Sequence, residues 1–229
     1  MLNFKFPKQP YIAIIGDIVN SKQLKQRADI QETLRVILEQ CNTVFAAQIS
    51  SKFMITLGDE FQGLLHDGSV ILAIIEKIET ALYPVQLRFA IGVGAITTEI
   101  NPDLPLGADG PAYYNARAVI NAFKDKENKK MTAKANISIK TEAVNNIDDL
   151  INALFNQIYL NKNSWTARQR EIILRYQQNQ ENQSTLAAQL KINQSSVQRA
   201  LHKAGYYTYK QSLDTINSYF RMMGVDTDV

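Results

Sequence analysis

Apolar positions along the first 140 residues switch between a period of two and a period near 3.6, and each switch marks an element. Tyr11–Val19 is almost wholly apolar, as a central strand buried on both faces would be. Residues 28–48 carry a stripe at helical spacing, made of Ile30, Leu34, Ile37, Cys41 and Phe45. Lys52–Leu57 and Phe61–Leu65 flank Gly58-Asp59-Glu60 and predict a hairpin. Residues 69–82 return to helical spacing, with Val70, Ile74, Ile75, Ile78 and Leu82 inward. Residues 85–97 alternate again. Val85, Leu87, Phe89, Ile91, Val93 and Ala95 share one face, and Arg88, Ala90, Gly92 and Gly94 share the other. A loop rich in Pro and Gly at 99–111 leads to a helix at 112–124, a lysine-rich connection and a short strand near 134–140.

The resulting order, β-α-β-β-α-β-α-β, is the split βαβ pattern of a ferredoxin-like sheet with one extra αβ unit. A polar stretch, Thr141–Asp149, precedes a helix at 147–160, and residues 161–164 read as a linker. The expected fold class is therefore α+β. A ferredoxin-like βαββαβ domain with its extra αβ unit covers 1–145, and an all-α domain covers 146–229.

The second segment has its own pattern. Between Gln183 and Leu201 the residues follow a helix-turn-helix position by position. Leu186, Ala187 and Leu190 fall on one face of a short helix, with Ala where two crossed helices approach closely. Ile192 plugs the turn, and the side chain of Asn193 is placed to N-cap a second helix. Val197, Ala200 and Leu201 form that helix's inner face. Gln194, Ser195, Ser196, Gln198, Arg199 and Lys203 are left for the outer one, the residue types that read base edges and phosphates.

Charge sharpens this division. Residues 161–223 hold nine Lys and Arg against three Asp and Glu, whereas residues 1–160 are net −1 and the tail adds Asp226 and Asp228. The excess positive charge coincides with the helix-turn-helix pattern, which suits a polyanionic partner such as DNA. The longest apolar runs, such as Tyr11–Ile15 and Val70–Ile75, are too short to span a bilayer, so no membrane partner is expected. A lone cysteine, Cys41, and no secretory h-region fit a reducing cytoplasm. Its place in a helical stripe makes Cys41 a core residue rather than a nucleophile.

Candidate chemistry gathers at one end of the predicted sheet. Asp17 ends the first strand and Asp59 occupies the hairpin, so residues 42 apart in sequence converge at one edge. Two carboxylates there suit Mg²⁺ or Mn²⁺, with water and phosphate oxygens completing the shell. Asn20, Ser21 and Lys22 follow Asp17, and backbone amides at a helix start beside a lysine favour a phosphate. The same residues also read as ordinary turn and cap chemistry. Gly92 and Gly94 admit either a ligand close to the backbone or a packed helix.

Four blocks together resemble the SatD family of bacterial proteins: Gly16-Asp17-Ile18-Val19-Asn20-Ser21-Lys22, Gly58-Asp59-Glu60-Phe61-Gln62-Gly63, Arg88-Phe89-Ala90-Ile91-Gly92-Val93-Gly94, and Asp109 through Arg117. The N-terminal blocks are similar, more distantly, to the palm of class III nucleotide cyclases and diguanylate cyclases. That resemblance implies a metal on Asp17 and Asp59, and a catalytic, charge-stabilising role for Arg117. Tyr113 stands where those enzymes carry a ribose-orienting Asn, and Asn115 lies two residues away. Ile55 replaces their base-selecting Lys, and Leu57 the first Gly of the diguanylate cyclase signature. These departures weaken the expectation of cyclisation more than that of a nucleotide pocket.

The combined expectation is a cytoplasmic DNA-binding regulator. Its palm-like domain would bind a nucleotide or phosphorylated ligand with a divalent metal through Asn20, Ser21, Lys22, Asn115 and Arg117. A metal-dependent nucleotidyl-transfer or cyclase-type enzyme, and a catalytically inactive cyclase-fold scaffold, are the alternatives. A homodimer is expected, because such palms build sites across two subunits and helix-turn-helix proteins read paired half-sites. The stripe Tyr209, Leu213, Ile216, Phe220 and Met223 would pack on a neighbour or on its own domain.

Overall fold

Strand β1 (Tyr11–Ile18) divides the structure into two layers, because its side chains alternate between them. In this computed structural model, residues 10–128, 135–142 and 146–223 are described, the side chains of 126–128 excepted. Ile12, Ile14 and Ile18 join one hydrophobic cluster, whereas Ala13 and Ile15 join another on the opposite face. Around β1 stand β2 (Ile49–Leu57), β3 (Glu60–Leu65), β4 (Leu87–Gly94) and β5 (Ile137–Thr141), in the order β2-β3-β1-β4-β5. β1 pairs antiparallel with both β3 and β4, β2 pairs antiparallel with β3, and β5 joins β4 in parallel. The chain is thus mixed α+β, with a five-stranded sheet and eight α-helices among the described residues.

The first face is covered by α1 (Arg27–Val44) and α2 (Ile71–Leu82), whose Leu34, Ile37, Ile74 and Ile78 share one hydrophobic cluster with Leu87, Phe89 and Ile91 of β4. Cys41 is buried in this layer, as the helical stripe predicts, and burial pushes its thiol up to about 11. The second face is covered by α3 (Pro111–Asn128) through Ala112, Ala116, Ile120 and Phe123. The alternation of 85–97 is realised in β4, so Arg88, Ala90, Gly92 and Gly94 lie beneath α3.

Gly92 is what lets α3 come down onto the sheet. A Cβ there would stand 2.1 Å from the Ala112 carbonyl oxygen and 2.3 Å from the Ala116 nitrogen. The two readings of this glycine are thereby resolved, and a packed helix occupies the space rather than a ligand.

The remaining helices are α4 (Ile147–Ser164), α5 (Ala167–Gln178), α6 (Gln183–Leu190), α7 (Gln194–Lys203) and α8 (Tyr206–Arg221). Residues 161–164 are not a linker; they complete α4. The Asn161 amide is held by the Ala204 carbonyl, and α5 starts two residues after α4 behind a Thr166/Gln169 capping box. The stripe on the last helix is also spoken for. Tyr209, Ile216, Phe220 and Met223 are buried in the chain's own core, with Leu213 packed against it, so they do not face a neighbour. One hydrophobic cluster runs from Ile12 on the sheet to Leu186 and Val197 in the helical segment. Residue 145 at the expected domain boundary, residues 143 and 144 of the polar stretch before it, residues 129–134 of the lysine-rich connection with the strand start expected at 134, the first nine residues and the acidic tail lie outside the described residues, while 125–128 continue α3.

Gly92→Ala is expected to lower stability by about 1–3 kcal/mol or more, because both obstructing atoms belong to backbone. Urea unfolding would measure it, and an unchanged midpoint would mean that α3 does not sit against β4 in this way.

Candidate functional site

Strand register places three charged residues in one row across the sheet. Asp17 lies opposite Glu60 of β3 on one side and opposite Arg88 of β4 on the other. All three are buried and lie on the α3 face, because Asp17 shares the parity of Ala13 and Ile15. Arg88 grips Asp17 with two hydrogen bonds, Nε to Oδ1 at 2.8 Å and Nη2 to Oδ2 at 3.1 Å. Two carboxylates facing each other on neighbouring strands repel, so the row needs more cation than Arg88 supplies.

Helix α3 supplies it. Arg117 and Lys124, seven residues and two turns apart, reach back over the row from one face of that helix. Arg117 Nη1 lies 2.6 Å from Glu60 Oε1. The Lys124 ammonium stands 3.5 Å from Asp17 Oδ2 and 3.7 Å from Glu60 Oε2. Both cationic side chains are 44% exposed, whereas the two carboxylate side chains are 5% and 9% exposed. The cluster therefore holds three cations against two carboxylates, with Arg88 buried and Arg117 and Lys124 at the surface.

The residues expected to form the site are distributed unevenly over it. Asp17 and Arg117 both belong to the cluster. Asp17 is a buried ion-pair partner inside β1 rather than a cap at its end. Asp59, in the hairpin, is joined to β1 by its backbone, its carbonyl accepting from Ile18 N at 3.3 Å. Asn115 is buried and donates to the Val93 carbonyl at 3.0 Å. Asn20, left-handed at φ 53°, precedes a single 3₁₀ turn at Ser21–Gln23, in which Ser21 is buried and Lys22 exposed. No long helix starts there, since α1 begins only at Arg27.

A divalent ion does not fit the carboxylates as they stand. Both oxygens of Asp17 are taken by Arg88, and the ammonium of Lys124 lies between Asp17 and Glu60. Glu60, Arg88 and Lys124 were not singled out from the sequence. Arg88 could have been, as a charge in an otherwise apolar strand on the same face as Gly92.

A second surface is formed by α6, the turn 191–193 and α7. Lys191 takes a left-handed conformation at φ 53°, which ends α6 and turns the chain, and Ile192 packs beneath. Asn193 stands at the N-cap of α7, but its side chain makes no cap bond there, unlike Asn182, which caps α6 by accepting from Thr185 N at 2.9 Å. Val197 and Leu201 are buried, whereas Gln194, Ser195, Gln198, Arg199 and Lys203 are exposed and Ser196 is half-buried. Gln194 donates to Gln183 at 2.6 Å, and Gln183 to the Tyr207 hydroxyl at 2.9 Å, which gives a polar ridge along the starts of α6, α7 and α8. Arg199 lies along its own helix, against the Ser195 carbonyl and Ser196 Oγ.

A five-stranded sheet bearing this charge row, followed by five helices, defines a mixed α+β protein. Residues 11–218 match the SatD family, and the chain belongs to that family. No individually curated protein matches it. Among solved structures, the guanylyl cyclase Cya2 is similar over 50% of this chain and 71% of that one, at 14% identity and a TM-score of 0.33. Among the described residues, no helix is long and apolar enough to cross a membrane.

Asp17→Ala is expected to cost about 3–5 kcal/mol, because it leaves the buried Arg88 guanidinium without its carboxylate. Asp59→Asn, at a partly exposed turn, should stay within about 0.5 kcal/mol. Chemical denaturation of both variants checks the contrast, and equal effects would contradict the buried pair.

Proposed function

We propose that the chain is a DNA-binding regulator whose sheet layer receives a nucleotide or another phosphorylated ligand. In this reading α6, the turn at 191–193 and α7 form a helix-turn-helix, and α7 is its recognition helix. The observation that carries it is the two-sided character of α7. Val197 and Leu201 are buried on one side, and Gln194, Ser195, Gln198, Arg199 and Lys203 are exposed on the other, within the segment that holds the excess positive charge.

The sheet, read as a ferredoxin-like, cyclase-like palm, offers a phosphate the half-exposed cations Arg117 and Lys124. Mg²⁺ or Mn²⁺ enters this reading only if Lys124 leaves the carboxylates. A metal-dependent nucleotidyl-transfer enzyme is the weaker alternative, since Arg88 already holds Asp17. A cytoplasmic dimer on paired half-sites completes the proposal. Its interface must lie elsewhere than on the buried stripe of α8, and light scattering with and without DNA would measure the mass.

Selection from random duplexes, followed by binding assays at several salt concentrations, tests the DNA reading. Arg199→Ala is expected to lose about 1–3 kcal/mol on the selected site if it meets a guanine. Lys203→Ala should weaken all sequences alike and reduce the salt slope by about one. Selection that recovers no preferred sequence, or an Arg199→Ala chain that binds as wild type, would remove the assignment.

A further inference from the structure

The charge row raises the question of what balances two buried carboxylates placed opposite each other. In a metal-dependent phosphate site, a divalent ion would stand between them, close to one oxygen of each. Here that position is filled from within the chain. The Lys124 ammonium lies between Asp17 Oδ2 at 3.5 Å and Glu60 Oε2 at 3.7 Å, and Arg88 and Arg117 hold the other oxygens of the pair.

We propose that Lys124 is a built-in replacement for a divalent ion, so that this edge of the sheet takes a phosphate-bearing anion without metal. The identity of the anion as phosphate-bearing rests on the function proposed above. The role of Lys124 does not. Three features of the site agree with it. The cluster carries more cation than carboxylate, which disfavours a further divalent charge and favours an anion. The carboxylates are buried, whereas Arg117 and Lys124 are each 44% exposed, so an approaching ligand meets the cations first. The ammonium contacts at 3.5 and 3.7 Å are longer than the 2.6 Å Arg117–Glu60 bond. Lys124 can therefore turn toward a phosphate while its charge stays over the row.

Mn²⁺ titration of the whole 229-residue chain, followed by the paramagnetic resonance of the unbound ion, tests the role of Lys124 without any ligand. Wild type is expected to take up no stoichiometric Mn²⁺. Lys124→Ala, and Lys124→Gln as a variant that keeps the aliphatic stem, should each gain one site that binds roughly tenfold or more tightly than wild type. Lys124→Arg should behave as wild type, and adding Glu60→Gln to Lys124→Ala should abolish the gained site. Stoichiometric Mn²⁺ binding by wild type that Glu60→Gln removes would overturn the proposal. So would folded Lys124→Ala and Lys124→Gln chains, judged by circular dichroism, that gain nothing.

Pyrophosphate titrated in EDTA separates this proposal from the function it rests on. Binding in EDTA, weakened roughly tenfold by Arg117→Ala, supports it. Binding that appears only with Mg²⁺ overturns it. No binding under either condition removes the phosphorylated-ligand reading, and the Mn²⁺ measurement still decides the place of Lys124.

Discussion

Everything at the charged end of the sheet depends on how two facing carboxylates are compensated away from water. Antiparallel pairing puts Asp17 directly opposite Glu60, and removing both from solvent would be prohibitive without compensation. Arg88 compensates within the sheet, because the same register sets it across from Asp17 on the other side. Arg117 and Lys124 compensate from above, which requires α3 to lie close to the strands from Ala112 to Phe123. That closeness is available because Gly92 presents no side chain where the Ala112 carbonyl and Ala116 nitrogen pass, and because Ala112 and Ala116 are small. A packing constraint in the middle of the sheet thus sets the electrostatics at its end.

The helical segment is bound to the sheet by the same kind of interlocking. Gly68, in the turn before α2, lies under the Phe220 carbonyl of α8, and a Cβ there would approach it to 2.3 Å. The Arg170 guanidinium of α5 lies over the Tyr83 ring at 4.8 Å and over Trp165 at 5.6 Å. Trp165 in turn donates to the Ala204 carbonyl at 2.8 Å, where α7 ends. Lys162 of α4 pairs with Glu79 of α2. Polar and aromatic ties therefore surround an apolar cluster that already crosses from sheet to helices.

Much of this was legible in the sequence, and the reason differs from element to element. The strands and helices around β1 follow periodicity, since a stripe such as Leu34, Ile37 and Cys41 has a single use in a layered protein. Asp17 is legible as a carboxylate where an apolar strand ends, and Arg117 through the resemblance to cyclase palms. Their partners were obscure for a geometric reason. The meeting of Asp17 with Glu60 and Arg88 depends on strand register, which periodicity alone does not specify, and one residue of slip would send each side chain to the other face. Asp59 lies in the turn itself, whereas the register sets its neighbour Glu60 opposite Asp17. Residues 161–164 misled for another reason. Their polar composition suggests a linker, but the Ala204 carbonyl is met by Asn161, and the helix runs on to Ser164.

These constraints bear on how the two surfaces can act together. A flexible tether would let each surface work alone, coupled only through local concentration. A shared core imposes a different condition. A ligand at the Arg117–Lys124 edge can alter the α7 surface only if the two states differ in free energy through contacts that both segments share. Those contacts are the ones that α8, Trp165 and Arg170 make with α2 and with the end of α7. Under the proposed function, Arg199 lies on the exposed side of α7, whereas Trp165 and Arg170 belong to the joint through which any coupling would pass.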